Sequence, residues 1–195
     1  MYFYTQQTIH TTLPAIRMKD KKRNLLRKEW SDLRADIERS RKELNIIDNE
    51  KFNSLNINDW KIVQSKIEDN FLYKRNAGVK RSWLWNDLKF ETYSIGCLKD
   101  PYESLELLIK SDEKIYFLIN ETINEQTKYW AYEGTIKPII EIIGDSYHLD
   151  EYYLVSKKYE WLLGTNHHDV LIGTGNIISL MKANEAKIKK AGNTV

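Results

Sequence analysis

The sequence predicts an α+β fold in which N-terminal helices precede an antiparallel sheet of about five strands, with helices on one face and a C-terminal helix. Three observations predict it. Amphipathic helical patterns occupy the first part of the chain, and runs rich in β-branched and aromatic residues occupy the second part. The links between those runs are short, which is typical of antiparallel pairing because parallel strands need long crossover connections.

The first predicted helix spans residues 23–44. Its apolar residues recur at steps of three, four and seven and form a stripe of Leu26, Trp30, Leu33, Ile37 and Leu44. Residues 20–45 are therefore predicted to be a basic amphipathic helix at the periphery, docked through this stripe on the domain or on a partner. Residues 1–19 are predicted to be an irregular leader because they show no regular periodicity.

Further helices are predicted before the sheet. Asn58 is the predicted N-cap of a helix that runs to about Phe71, because an acidic residue follows it and apolar residues recur on one face. A capping box, Asp100-Pro-Tyr-Glu103, predicts a second helix that ends near Ser111. The aromatic segment at residues 81–88 is predicted to be a short helix.

The predicted strands follow, over residues 114–119, 128–133, 151–156, 159–163 and 170–174. A short helix is predicted between the second and third strands. Thr135 opens it, Pro138 lies in its first turn, where a missing N–H is tolerated, and Gly144 closes it. Asn176 opens a terminal helix that is predicted to reach Ile188.

Length and composition exclude several classes of protein. A chain of 195 residues suits one domain, predicted over residues 20–190 and followed by a flexible tail at 191–195. The single cysteine, Cys97, excludes an internal disulfide and a Cys-based zinc finger. We expect a cytoplasmic protein with no membrane partner, because the sequence has neither a long apolar run nor a secretory signal pattern.

The net charge of +2 conceals an uneven distribution. Residues 17–42 carry eleven Lys and Arg against five Asp and Glu, a net charge of +6, and residues 182–190 carry +3. The remaining ionisable residues all lie within 43–181, which must therefore carry −7. An acidic body of this kind predicts a basic partner, selected by charge complementarity.

The most suggestive polar cluster lies between the last two predicted strands and consists of His167, His168 and Asp169. Imidazoles and carboxylates bind metals and transfer protons. Adjacent residues of an extended chain point to opposite faces, so a zinc site would need another ligand, such as His148 or Asp145. The favoured interpretation is a polar turn at residues 164–169, in which Asn166 and Asp169 bond local backbone.

A second candidate surface consists of strand aromatics and glutamates, namely Trp130, Tyr132, Glu133, Tyr153, Glu160 and Trp161. Alternate residues of a strand face opposite sides, so part of this set is expected to face solvent or a groove. These six residues and the cluster at 167–169 are the predicted binding residues. No catalytic residue and no cofactor are predicted, because the sequence lacks the standard catalytic motifs and the third glycine of a dinucleotide fingerprint.

Residues 19–28 form a basic stretch that could follow a phosphate backbone. Acidic residues interrupt the positive charge of the predicted helix, and no helix-turn-helix, KH or RNP motif lies near it. A solvated helical face is therefore the favoured interpretation. Nucleic-acid binding through the basic helix at residues 17–42 is kept as an alternative.

Several blocks resemble a bacterial domain family of unknown function over about residues 40–178. They are Lys74-Arg-Asn-Ala-Gly78 with Trp83-Leu-Trp85, Asp100-Pro-Tyr-Glu103, Trp130-Ala-Tyr-Glu-Gly134, and the run from Asp150 through His167-His-Asp to Gly175. This resemblance implies no established activity. By its order of helices and sheet, the chain is also similar to the SUKH immunity proteins, which bind and neutralise toxins.

The sequence therefore favours a non-enzymatic protein-binding module. A narrower version of this hypothesis is a bacterial immunity-type protein. The alternatives are a metal-dependent hydrolase centred on His167, His168 and Asp169, and the nucleic-acid-binding protein described above.

Overall fold

The computed structural model describes residues 33–74, 83–121, 129–146, 149 and 151–193. These residues form one antiparallel sheet of seven strands in the order β1-β4-β3-β5-β6-β7-β2. The strands are β1 Phe52–Ser54, β2 Thr92–Ile95, β3 Ile115–Asn120, β4 Tyr129–Gly134, β5 Tyr152–Ser156, β6 Trp161–Thr165 and β7 Leu171–Gly175.

Four α-helices are described, namely α1 Leu33–Glu43, α2 Ile57–Phe71, α3 Ile136–Asp145 and α4 Ile177–Ala191. Two 3₁₀ helices cover Leu84–Asp87 and Pro101–Leu107. Among the described helices, none has both the length and the apolar character needed to cross a membrane.

The predicted α+β class is confirmed, and each of the five predicted strands lies within two residues of an observed one. The sheet has seven strands because β1 and β2 add a short strand at each edge. β1 pairs with β4, and β2 pairs with β7. Strands of three and four residues are too short to show a clear alternation, so their sequences do not distinguish them from loops.

Helices cover both faces of the sheet, and the prediction of helices on one face only is corrected. The first face packs against α1, α3 and α4, and the second face packs against α2 and the first 3₁₀ helix. In β5, Tyr152 and Leu154 contribute to the first core, while Tyr153 and Val155 contribute to the second. A strand that is buried on both sides is apolar throughout instead of alternating, which is why β5 and β6 read as continuous runs.

Two helix caps differ from the prediction. The N-cap of α2 is Asn56 instead of Asn58, and its Oδ1 accepts hydrogen bonds from the backbone N–H groups of Asn58 at 2.9 Å and Asp59 at 3.1 Å. The segment after Asp100 forms a 3₁₀ helix, and the Asp100 side chain makes no cap hydrogen bond. The Glu103 N–H donates to the Asp100 backbone carbonyl instead, at 3.1 Å.

The predicted leader at 1–19 lies outside the described residues, as does the first part of the basic helix. In the described part of that helix, Leu33 and Ile37 are 0% exposed and belong to the first-face core. The apolar stripe of α1 therefore packs on the body of the domain. The C-terminal end of α1 is also bonded to the segment that follows it, because the Arg41 side chain donates a 3.0 Å hydrogen bond to the Ile46 carbonyl.

Candidate functional site

The turn between β6 and β7 presents two histidines to solvent. Asn166 is buried, and its Oδ1 accepts hydrogen bonds from the backbone N–H groups of His168 at 3.0 Å and Val170 at 3.1 Å. Asp169 adopts a positive φ of 56°, a conformation in which aspartate is enriched, and its N–H donates to the Asn166 carbonyl at 3.0 Å. This tight local bonding leaves His167, His168 and Asp169 exposed at the tip.

Directly beneath the turn lies a buried carboxylate, Glu151, which is 1% exposed. Its Oε1 accepts hydrogen bonds from His167 Nδ1 at 2.8 Å and from Trp85 Nε1 at 3.1 Å. A carboxylate without a proton only accepts hydrogen bonds, so the tautomer that fits this contact carries its proton on Nδ1 of the imidazole. The His167 ring is thereby fixed in orientation, and its Nε2 remains as the second functional nitrogen.

Tyr153 connects this carboxylate to the first 3₁₀ helix. Its hydroxyl oxygen accepts a hydrogen bond from the Leu84 N–H at 3.1 Å and lies 3.5 Å from Glu151 Oε2. Burial raises the pKa of Tyr153 far above its usual value, so the hydroxyl keeps its proton and can donate it to the carboxylate. The helix that carries Trp83 at its start and Trp85 within it is thus bonded to the sheet.

Four aromatic side chains meet at this end of the sheet, and we call them the His167 surface: Trp83, Trp85, His167 and His168. The His167 ring centroid lies 4.1 Å from that of His168, 5.4 Å from Trp83 and 6.3 Å from Trp85. Trp83 is 42% exposed. The surface therefore combines an exposed indole with two exposed imidazoles, and a buried glutamate supports it from below.

The other six predicted binding residues do not form one patch. Tyr132, Tyr153 and Trp161 are buried in the two cores, so none of them is an exposed surface residue. Glu133 forms an ion pair with Lys157, which reduces its value as a free acidic group. Glu160 is exposed in the turn between β5 and β6.

Trp130, the last of these six, is half-buried and packs against the first-face core. It lines a separate pocket together with Arg34 and Trp60. The predicted aromatic patch is therefore divided between a core, a turn and a pocket. The reason is that successive strand residues point to opposite faces, and helices cover both faces.

Sequence reasoning missed Glu151 as a site residue. It looked like the first residue of a strand, and its two strongest donors lie 16 and 66 residues away along the chain. The Trp83-Leu-Trp85 motif was visible, but nothing in the sequence linked it to the histidines. A pair of tryptophans at the start of a short helix was the one signal that could have drawn attention to this region.

A metal site receives no support within the residues that the structure describes, where no group of three or more His, Cys, Asp or Glu side chains could bind an ion. Asp145, considered above as a further ligand, lies 3.8 Å from the guanidinium of Arg39 at the end of α3. His148 lies outside the described residues.

Comparison with known proteins yields one relationship. Neither the curated proteins nor the solved structures contain a significant match to this chain. The likeness to SUKH immunity proteins therefore gains no support from them. The resemblance to a domain family of unknown function is confirmed, because a family model matches residues 29–186, which include the blocks that carry the resemblance. The chain belongs to this family, DUF6756, a family of unknown function.

Proposed function

We propose that the protein is a non-enzymatic protein-binding module that contacts its partner through the His167 surface. One observation carries this proposal: an exposed tryptophan packs against a histidine whose ring is bonded to a buried glutamate. Tryptophan is enriched among the residues that contribute most to protein interfaces. Its large apolar area and its N–H group suit a surface that becomes buried on binding.

The support beneath this surface favours tight binding. Glu151 and Tyr153 fix the orientation of His167 and of the 3₁₀ helix before any partner arrives. A side chain that is already ordered loses less conformational entropy on association, at about 0.5–1.5 kcal/mol for each immobilised side chain. The His167 surface therefore resembles a preorganised binding site more closely than the exposed aromatic residues elsewhere in the domain.

The partner that we propose is a basic protein, and the narrower form of the proposal is a cytoplasmic immunity-type role in a bacterium. The support is the net charge of −7 over residues 43–181. The exposed carboxylate of Asp169 lies in the same turn as the histidines. Screening by salt weakens contacts between exposed charges, so binding to a basic partner is expected to weaken as ionic strength rises.

The test compares two exposed aromatic residues. The tagged full-length chain is used to capture partners from a lysate of the native host at low salt, and a captured protein is then purified and titrated by calorimetry. Trp83→Ala is expected to weaken its affinity at least tenfold, as is typical of a residue at the centre of an interface. Phe90→Ala is the matched control, because Phe90 is 56% exposed and lies outside the His167 surface.

Equal affinities of wild type and Trp83→Ala for the purified partner would overturn the assignment of the surface. Failure to recover any saturable protein partner would overturn the proposed function itself. The immunity-type form of the proposal requires a further result. The purified partner must be toxic to cells, and co-expression of the wild-type chain, but not of Trp83→Ala, must restore growth.

A second candidate function is acid–base chemistry at His167, as part of a hydrolase. The observation that favours it is the hydrogen bond between the imidazole and a buried carboxylate, an arrangement that orients histidine in general-base catalysis. Elemental analysis distinguishes the metal-dependent form from the binding module. A stoichiometric metal that is lost in His168→Ala would favour the hydrolase.

Nucleic-acid binding through residues 17–42 stays a prediction, since most of that segment lies outside the described residues. Salt-dependent retention on DNA that disappears when residues 1–45 are removed would favour it over the binding module.

A further inference from the structure

A pocket of about 270 Å³ opens at the edge of the sheet where β1 ends. β1 pairs only with Tyr132–Gly134, so the first half of β4 has no β1 strand beside it. The Leu55 N–H still donates a 2.9 Å hydrogen bond to the Ala131 carbonyl of β4, after which the chain turns away and Asn56 caps α2. This early departure leaves a recess whose walls come from three different elements: Arg34 of α1, Trp60 of α2 and Trp130 of β4.

Trp130 is a fixed wall of this pocket. Its Nε1 donates a 2.8 Å hydrogen bond to Oε2 of Glu121, a residue that is only 1% exposed. The same oxygen accepts a 3.0 Å hydrogen bond from the Leu33 N–H of α1. One buried carboxylate thus positions both the indole and the helix that carries Arg34.

Arg34 provides the positive charge of the pocket. Its guanidinium carbon lies 5.2 Å from the centroid of the Trp130 ring, in cation–π contact. Across the part of the chain that the structure describes, no carboxylate lies within ion-pair distance of this side chain, in contrast to Arg39 and Arg41 on the same helix. The Arg34 guanidinium can therefore form two parallel hydrogen bonds with the carboxylate of a ligand.

We propose that this pocket binds an aromatic carboxylate, either a free small molecule or the C-terminal aromatic residue of a peptide. The two indoles offer flat faces for an aromatic ring, and Arg34 offers the fork that a carboxylate fits. The volume lies just below the usual range of ligand pockets, so a compact ligand fits and a dinucleotide does not. This site is independent of the His167 surface.

Calorimetry with indole-3-acetate tests the charge and the ring separately. The affinity for the acid is compared with that for its neutral amide, which lacks the charge, and with that for cyclohexylacetate, which lacks the flat ring. The wild type is expected to bind the acid at least tenfold more tightly than either. Arg34→Gln is expected to weaken binding of the acid by about 10- to 100-fold, since hydrogen bonds to charged groups make contributions of that size.

Arg39→Gln is the matched control. Arg39 lies on the same helix but pairs with Glu43 at 2.7 Å, so its replacement should leave affinity for the acid within twofold of wild type. Trp60→Leu should weaken binding of indole-3-acetate and reduce the preference for this flat ring over cyclohexylacetate. Thermal unfolding of each variant verifies that it is folded.

Tripeptides that end in tryptophan identify the source of the ligand. Tighter binding of Gly-Gly-Trp than of indole-3-acetate, lost when the peptide is amidated, assigns the pocket to protein C-termini. The reverse order assigns it to free aromatic acids. The proposal is overturned if neither ligand saturates the pocket, if acid and amide bind equally, or if Arg34→Gln binds the acid as tightly as Arg39→Gln.

Discussion

Two buried glutamates, Glu121 and Glu151, lie at the same end of the sheet, each only 1% exposed. Both accept a hydrogen bond from an indole N–H, Glu121 from Trp130 at 2.8 Å and Glu151 from Trp85 at 3.1 Å. They contact opposite faces of the sheet, because Trp130 packs with the first core and Trp85 with the second.

They differ in the second donor that each carboxylate receives. For Glu121 it is a backbone N–H, that of Leu33, which cannot titrate or reorient without moving α1. For Glu151 it is the imidazole of His167, whose side chain is 36% exposed. Each glutamate is thus a buried carboxylate bonded to an indole. Glu121 uses its second hydrogen bond to hold the backbone of α1, whereas Glu151 uses it to orient His167 at the surface.

The largest expected effect is the loss of stability in Glu121→Ala. Among the described residues, the donors of Leu33 and Trp130 would lose an acceptor, each at about 1–3 kcal/mol, so the free energy of unfolding should fall by about 2–5 kcal/mol. Urea denaturation of the full chain measures it. Glu106→Ala is the control, because Glu106 is exposed and should change stability by less than about 0.5 kcal/mol. A loss no larger than that of Glu106→Ala would show that Glu121 does not join α1 to the sheet.

The loss of stability in Glu151→Ala should be smaller: the free energy of unfolding should fall by about 1–3 kcal/mol. The exposed His167 can exchange its lost partner for water, and the Tyr153 hydroxyl loses only a long contact of 3.5 Å, so the Trp85 N–H is the main donor left without an acceptor inside the protein. The same urea experiment applies, with the exposed Glu160→Ala as control. A loss greater than that of Glu121→Ala would invert the comparison and identify the His167 end as the main source of stability.

Trp85→Phe and Trp130→Phe should each lower the free energy of unfolding by about 1–2 kcal/mol, because each removes one N–H donor from a buried carboxylate. In the corresponding Glu→Ala background the cost should shrink, since the acceptor is already gone. Double-mutant cycles measure this coupling, expected at about 0.5–3 kcal/mol. Additive losses in either pair would mean that the indole contributes by packing alone.

The smallest effect concerns a third glutamate, Glu185, which is half-buried. Hydrogen bonds from Lys189 and then from Tyr93 lower the pKa of Glu185 below its ordinary value of 4.5. A lowered pKa in the folded state adds stability above the unfolded-state pKa, and that stability disappears as pH falls through the folded-state pKa. The difference in urea midpoint between wild type and Glu185→Gln should therefore be small at pH 7, shrink as pH falls below the ordinary pKa of 4.5, and disappear once pH lies below the folded-state pKa. A difference that grows on acidification would contradict this sign.

Much of the fold was accessible from local patterns. The five central strands were predicted because runs such as Ile115–Asn120 combine β-branched and aromatic residues between clear breaks. The helix after Thr135 was predicted from a proline in its first turn and closely spaced isoleucines. β1 was not, because its three residues become a strand only by pairing with β4.

The candidate site was less accessible. The turn that exposes His167 was predicted, since Asn166 and Asp169 favour local backbone hydrogen bonds. Trp130 was predicted to lie in one aromatic patch with other strand residues, but it lines a separate pocket, because no sequence pattern reveals that β1 ends early and leaves a recess beside β4.

Amino-acid order was therefore sufficient for the antiparallel sheet and its histidine turn, because both follow from preferences of neighbouring residues. The folded chain was needed for the two buried glutamates and everything they support. Trp85 lies 66 residues from Glu151, and Leu33 lies 88 residues from Glu121. Contacts at such separations depend on which strands become neighbours in the sheet and which helix covers them, and a single sequence carries no local signal of either.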